Sequence, residues 1–351
     1  RRYDAAKGTA PSLAGELRTL AGCVWHTGRY RCGNGIVLTA QTAGRLREAL
    51  AGGKEGRRDK GGQILQSSTP ESGCSNARSD PLRGDRGAPD YLSGQSGTLG
   101  RRALLAGRAR DAAADLVGLP QTRAVRRAAR TAPVRRRVLV AGVARPELAG
   151  VAQAIRSELE RSRHDVALHL EPGAPGLGKW ANLRATLAAH PADGADWLLL
   201  VDDDVVLPAG FLDAFLFAAE RFDLALAQPA HAFASHAAWP VTRRRPGVLA
   251  RRTRFVEIGP VTALRADAFP VLLPFPALEM GWGLDTHWSA AAAAAGLPLG
   301  VVDVTPIRHL RPIATSYPRA AAEQEAARFL ATRAYVTRDE AAQTVAAWRA
   351  L

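Results

Sequence analysis

The densest chemistry in this chain lies in WLLLVDDDVVLP, residues 197–208, where an apolar run ends in three consecutive aspartates. Side chains alternate along extended backbone, so Asp202 and Asp204 project to one side and Asp203 to the other. Two carboxylates placed that way suit a hard divalent cation, which takes oxygen ligands. Three adjacent carboxylates also repel one another, and a bound cation relieves that repulsion. The plainer reading is a solvated acidic turn capping the next helix, although a cap needs one aspartate and not three.

Other residue types invite separate readings. Asp285, in EMGWGLDTHW (279–288), opens a helix expected over Asp285–Ala295, where a carboxylate serves as general base or as N-cap. His309 closes the strand-like LGVVDVTPIRHL (299–310), and an imidazole of borderline softness favours Mn²⁺ over Ca²⁺. His231 and His236 read as loop residues between Ala230 and Arg254. The arginines of that loop (Arg243, Arg244, Arg245, Arg251 and Arg252) form either a basic lid or a solvated face. Cys23, His26 and Cys32 are zinc-type donors, but a fourth ligand at finger spacing is missing.

The elements around these residues follow from periodicity. RRVLVAGVA (136–144), DVALHLEP (165–172) and WLLLV (197–201) read as strands, the first and third apolar enough for burial on both faces. Residues 146–163, with Leu148, Val151, Ile155 and Leu159 at helical spacing, and residues 179–190 read as helices between them. A further helix follows Pro208, with Phe211, Phe215 and Ala218 on its apolar face. Strand and helix alternating at this pitch predict an α/β sheet with crossover connections. Ligands of such sheets bind outside the carboxyl ends of the strands, where the three aspartates fall.

Charge is distributed unevenly. The formal net charge is +14, yet residues 1–137 hold 26 basic and 11 acidic side chains while residues 138–351 hold 21 and 22. The basic character thus belongs to a leader, which argues against nucleic acid as partner of the C-terminal part. All three cysteines lie in that leader, and their irregular spacing is no disulfide framework. The leader has no apolar signal segment, and no stretch is apolar enough to span a bilayer, so a cytoplasmic location is expected. The only methionine is Met280, as in a fragment, a processed product or a frame extended upstream.

Residues 1–100 read as a mostly disordered basic leader with one helix near Thr42–Ala51. Residues 101–133 read as a basic helical linker. Its 101–130 stretch is a solvated helix packed on the core or, on a sharper reading, a peripheral contact at the inner membrane face. The catalytic domain is expected over 134–316, and a helical tail over 317–351.

An Asp-x-Asp after a buried strand, followed by Pro and a helix, resembles the nucleotide-sugar signature of GT-A glycosyltransferases. The resemblance implies a GT-A-like fold, a mixed, mainly parallel sheet flanked by helices. It implies Mn²⁺ or Mg²⁺ on Asp204 and Asp202, with Asp202 and Asp203 near the donor. GKWANLRATL (178–187) resembles the segment that closes on the nucleotide, which implies contacts from Lys179 and Asn182. Gly281, Trp282, Gly283 and Asp285 resemble the Gly-Trp-Gly-x-acid motif of β-galactosyltransferase-like families. That motif implies a sugar stacked on Trp282 and Asp285 as base, although many members carry two acids in a row where this chain has Asp285 and Thr286. His309 would complete the metal site. The order of these pieces, with FVEIGP at 255–260, is also similar to an uncharacterised plant-type family with a glycosyltransferase-like core, which implies Glu257 and Gly259 at the floor of the cleft.

The expected function is transfer of a sugar from a nucleotide-sugar donor to a carbohydrate or other hydroxyl acceptor. A catalytically silent carbohydrate-binding or scaffold protein of the same fold is the alternative. A phosphoryl-transferase would bring GxxxxGK(S/T) or GxGxxG, and neither is present.

Overall fold

Runs of β-branched and leucine residues between turn residues become the strands of this protein, and the apolar faces of the intervening helices cover them. The computed structural model describes residues 89–312 and 317–351, with the backbone of three short strands nearer the N-terminus. The chain divides into two units, Arg1–Asp80 and Pro81–Leu351.

In the first unit, β1 (Cys23–His26), β2 (Arg29–Cys32) and β3 (Val37–Thr39) form an antiparallel sheet in that order. Cys23 stands opposite Cys32 in its register. The leader is therefore not without regular structure: Val24, Trp25, Tyr30 and Val37 are residues that favour strands. The helix expected near 42–51, the disorder expected over 52–88 and the side chains of the zinc-type group lie outside the described residues.

The second unit begins its regular structure with α1 (Arg101–Thr131), β4 (Arg137–Ala144), α2 (Ala149–Glu160), β5 (Asp165–Pro172) and α3 (Lys179–Ala189). Next come β6 (Trp197–Val201), the two-residue β7 (Val205–Val206), α4 (Phe211–Arg221), β8 (Leu226–His231), β9 (Ala250–Thr253) and β10 (Val261–Arg265). The rest is α5 (Phe269–Leu272), α6 (Leu284–Ala294), β11 (Leu299–His309), α7 (Arg319–Leu330), α8 (Arg338–Ala341) and β12 (Thr344–Trp348).

The large sheet has the order β12-β9-β11-β8-β10-β6-β4-β5, with β7 beside β11. It is mixed but not mainly parallel. β4 runs parallel to β5 and β6, and β8 parallel to β11. The pairings β6–β10, β8–β10, β9–β11, β9–β12 and β7–β11 are antiparallel. The departure stems from β10, which inserts antiparallel between two strands that crossover logic would have made neighbours.

β6 is buried along its whole length. Trp197, Leu199 and Val201 pack with α2 and α4 on one face, and Leu198 and Leu200 with α3, α6 and α7 on the other. Burying such a side chain contributes about 1.5–3 kcal/mol, so β6 and the aspartates after it are firmly fixed.

Two predicted segments end differently. Residues 89–100 belong to the second unit and are tied into it: the Arg338 side chain donates to the carbonyls of Leu92 (2.6 Å) and Pro89 (2.7 Å). The C-terminal segment is helical only in part, because β12 joins the sheet against β9. Val345 and Trp348 account for that preference.

α1 packs on the core through Gly107, Ala114, Val125 and Ala129. Its Asp111 accepts the backbone N–H groups of Phe233 (2.8 Å) and Ala234 (2.9 Å). No helix among the described residues is long and apolar enough to cross a membrane.

Candidate metal centre

Each functional side chain is delivered by an element whose end lies on one side of the sheet. The Asp202 N–H donates to Pro260 O at 2.8 Å, which prolongs the β6–β10 pairing by one residue and fixes the start of the acidic turn. Asp204 and His309 are tied by backbone as well: β7 pairs Val205 with His309, and Leu310 N–H donates to Asp204 O at 2.9 Å. One donor atom from each of Asp202, Asp204 and His309 lies within 4.8 Å of the others. Asp204 and His309 are buried, and Asp202 half-buried.

This turn is not a helix cap. The first N–H groups of α4, from Gly210 and Phe211, are taken by Glu158 Oε1 at 2.6 and 3.1 Å. The aspartates meet cations instead. Arg145 donates to Asp203 from its backbone N–H (2.5 Å) and its guanidinium (Nε, 3.0 Å), and Nη2 reaches Asp204 Oδ2 at 2.9 Å. Lys179 Nζ stands 2.5 Å from Asp202 Oδ1.

A divalent ion fits the residues present. His309 Nε2 lies 3.1 Å from Asp204 Oδ1, yet that oxygen and His309 Nδ1 are both buried without a hydrogen-bond partner. Buried polar atoms left this way cost about 1–3 kcal/mol each unless something binds them, and a cation would satisfy the oxygen. The mixed oxygen and imidazole donors suit Mn²⁺ and exclude neither Mg²⁺ nor another hard divalent ion.

Metal ligands bind deprotonated, and of the three side chains only Asp204 is already held in that form, so an ion would have to displace protons from the other two. Burial raises the Asp202 carboxyl above its usual range against the pull of Lys179. Burial pushes Asp204 up too, but His309 and Arg145 outweigh it and hold that carboxyl down to about 2. Burial alone would lower His309, and Asp204 reverses the sign.

Behind His309 runs a polar chain that the sequence does not reveal. Ser235 Oγ accepts the His309 backbone N–H (2.8 Å) and contacts His231 Nδ1 (2.9 Å). His231 Nε2 then meets Glu257 Oε2 at 3.1 Å. His231 is thus a buried strand residue, not a loop residue. Burial would raise the Glu257 carboxyl, but His231 outweighs it and holds it low.

The acceptor-side candidates form a second cluster. Burial pushes Asp285 up to about 7; the Thr286 N–H opposes this and Glu257 adds to it. Asp285 sits in the first turn of α6, and the N-cap is Gly283, whose φ of 83° suits a glycine. Gly281 (φ 81°) also needs its missing Cβ, because one there would overlap the Trp180 indole. Trp282 Nε1 donates to Tyr317 Oη at 2.9 Å, and the Arg319 guanidinium lies 5.4 Å from its ring centroid. Asp202 in turn bears on Tyr317, so this pair neighbours the metal cluster.

Two expected ligand contacts are engaged elsewhere. Asn182 accepts from Ala174 N–H (2.7 Å) and donates to the carbonyls of Leu177 (3.1 Å) and Gly178 (3.0 Å), which braces the loop before α3. The supposed lid arginines are mostly structural. Arg243 donates to backbone carbonyls, Arg244 pairs with Asp111 and Asp115, and Arg251 forms a wholly buried pair with Asp303 at 2.7 Å. A Cβ at Gly259 would make only ordinary contact with the Glu257 side chain, and the Gly259 carbonyl lies 3.4 Å from Lys179 Nζ.

No protein-family model matches this sequence, and no curated protein does. The description therefore rests on the geometry: a mixed α/β fold with a buried Asp–Asp–His cluster able to coordinate a divalent ion, and so with catalytic potential.

Arg145 and Glu325 also escape a reading of the sequence. Glu325 of α7 accepts the N–H groups of Glu279 (2.8 Å), Met280 (3.0 Å) and Gly281 (2.8 Å). The only sequence signal for Arg145 is its place directly after the carboxyl end of a buried strand.

Proposed function

We propose that this protein is a metal-dependent glycosyltransferase that moves a sugar from a nucleotide-sugar donor to an acceptor hydroxyl. The observation that carries the reading is the Asp202–Asp204–His309 cluster flanked by Arg145 and Lys179, two cations beside a metal site at strand carboxyl ends. A divalent ion bound there would neutralise the diphosphate as it leaves. Lys179 is held where an anionic phosphate would compete with Asp202 for it. Arg145 keeps Asp203 and Asp204 oriented. Asp285, with its carboxyl near 7, is suited to draw the proton from an acceptor hydroxyl, and Trp282 offers an apolar face for the acceptor ring. The glycines at 281 and 283 let that ring approach the backbone.

The test is thermal stability of the full chain with nucleoside diphosphates and nucleotide sugars, with and without Mn²⁺. A ligand at a hundred times its Kd should add about 2.7 kcal/mol. Stabilisation by one nucleotide only with Mn²⁺ supports the donor site, and turnover with an acceptor then establishes transfer. Absence of any stabilisation in a folded protein would favour the catalytically silent alternative.

A further inference from the structure

A cleft of about 500 Å³ opens between α1, residues 244–248 and the last turn of β11. Arg308 lines it while the next residue, His309, faces the metal cluster, because successive strand residues point to opposite faces. The cleft therefore lies behind the metal centre and is a separate feature. Besides Arg244, which pairs with Asp111 and Asp115, four arginines line it: Arg108, Arg126, Arg245 and Arg308. None of their side chains makes a hydrogen bond or ion pair among the described residues. The acids of the same cleft are committed elsewhere, Asp111 and Asp115 to Arg244 and Asp303 to Arg251.

The rim adds an apolar feature. Leu105, Leu116 and Leu119 of α1 are 56%, 52% and 39% exposed. At 100° per residue they fall within about 60° of one another, opposite the buried Gly107, Ala114 and Val125 and next to the cleft. α1 carries eight arginines against two aspartates. A free phosphate would need only the arginines, whereas outward leucines beside unpaired arginines match an anionic lipid, whose phosphate and acyl chains supply both partners.

We propose that the arginine cleft and the outer leucines of α1 together form a docking site for the phosphate headgroups of an anionic membrane surface. The site does not depend on the glycosyltransferase reading.

The experiment is co-sedimentation of the full chain with phosphatidylglycerol–phosphatidylcholine vesicles, against phosphatidylcholine alone and against free inorganic phosphate and pyrophosphate. The variants are Arg245→Glu with Arg308→Glu, and Leu116→Asp with Leu119→Asp. Because residues 1–88 are also basic, Arg57→Glu with Arg58→Glu serves as a control whose charge change equals that of the cleft pair. Each α1 or cleft pair should weaken binding to anionic vesicles by about tenfold or more, and the control by much less. Leu116, Leu119 and Arg245 are exposed and Arg308 is half-buried, and an unchanged melting temperature confirms folding of each variant. Equal losses in the cleft and control variants would overturn the proposal, as would no vesicle binding. Stabilisation by inorganic phosphate or pyrophosphate without vesicle binding would mark a free-anion site and also overturn it.

Discussion

The Arg145 guanidinium spans two neighbouring carboxylates, with Nε 3.0 Å from Asp203 Oδ1 and Nη2 2.9 Å from Asp204 Oδ2. Asp203 is almost wholly buried, so this arginine is its counter-charge. Arg145→Met leaves that charge unpaired and should destabilise the fold by about 3 kcal/mol, read as a shift in urea midpoint. Asp203→Asn with Arg145→Met should recover part of the loss.

Asp204 and His309 form the better buried part of the candidate metal site. Asp204→Ala should abolish stabilisation by Mn²⁺. His309→Gln should weaken Mn²⁺ binding about tenfold or more by calorimetric titration, while the protein stays folded. Unchanged affinity in both would remove the site from this cluster.

Asp285 ties pH to stability and to rate with opposite signs. Its carboxyl sits near 7 in the folded chain, against an ordinary value of 3.8 once the chain unfolds and water reaches it. Between those values the folded state keeps a proton that the unfolded state has lost, so stability falls as pH rises from about 4 to 7 and stays lower above. Asp285→Asn should therefore gain up to about 4 kcal/mol over the parent at pH 8 and little at pH 4. On the proposed glycosyltransferase reading, in which Asp285 acts as base, transfer should rise with pH through about 7 in the parent and be largely lost in the variant.

Glu325 accepts three consecutive backbone N–H groups from residues 279–281. Glu325→Ala should cost about 2–3 kcal/mol and loosen that loop, which faster hydrogen exchange at Met280 and Gly281 would register. Glu325→Gln keeps an acceptor oxygen and should lose less.

β4, β5 and β6 are legible in the sequence to within a residue of their ends, because an apolar run between polar residues leaves few other ways to bury itself. The acidic turn is legible for a related reason: three carboxylates after such a run are more than a helix cap needs. Nothing in VTALR (261–265), however, states which way it pairs, so the antiparallel β10 had to be seen. Glu325 is 46 residues from Glu279, and no local pattern links an acid on one helix to the N–H groups of a distant loop. Asn182 shows the converse limit. Its place on α3 follows from the sequence, but its amide is spent on Ala174, Leu177 and Gly178. His231 reads as a loop residue because its strand, LAQPAH, carries a proline and a glutamine.

The Arg251–Asp303 pair joins β9 to β11 with neither side chain exposed. Sliding β9 by one residue would swing Arg251 to the opposite face and strand both charges in the interior, several kcal/mol uphill. Such a pair acts as a proofreader of strand pairing: it rejects misaligned assemblies more than it strengthens the correct one. Since β11 ends in His309, the alignment it protects decides whether an imidazole arrives beside Asp204 at all.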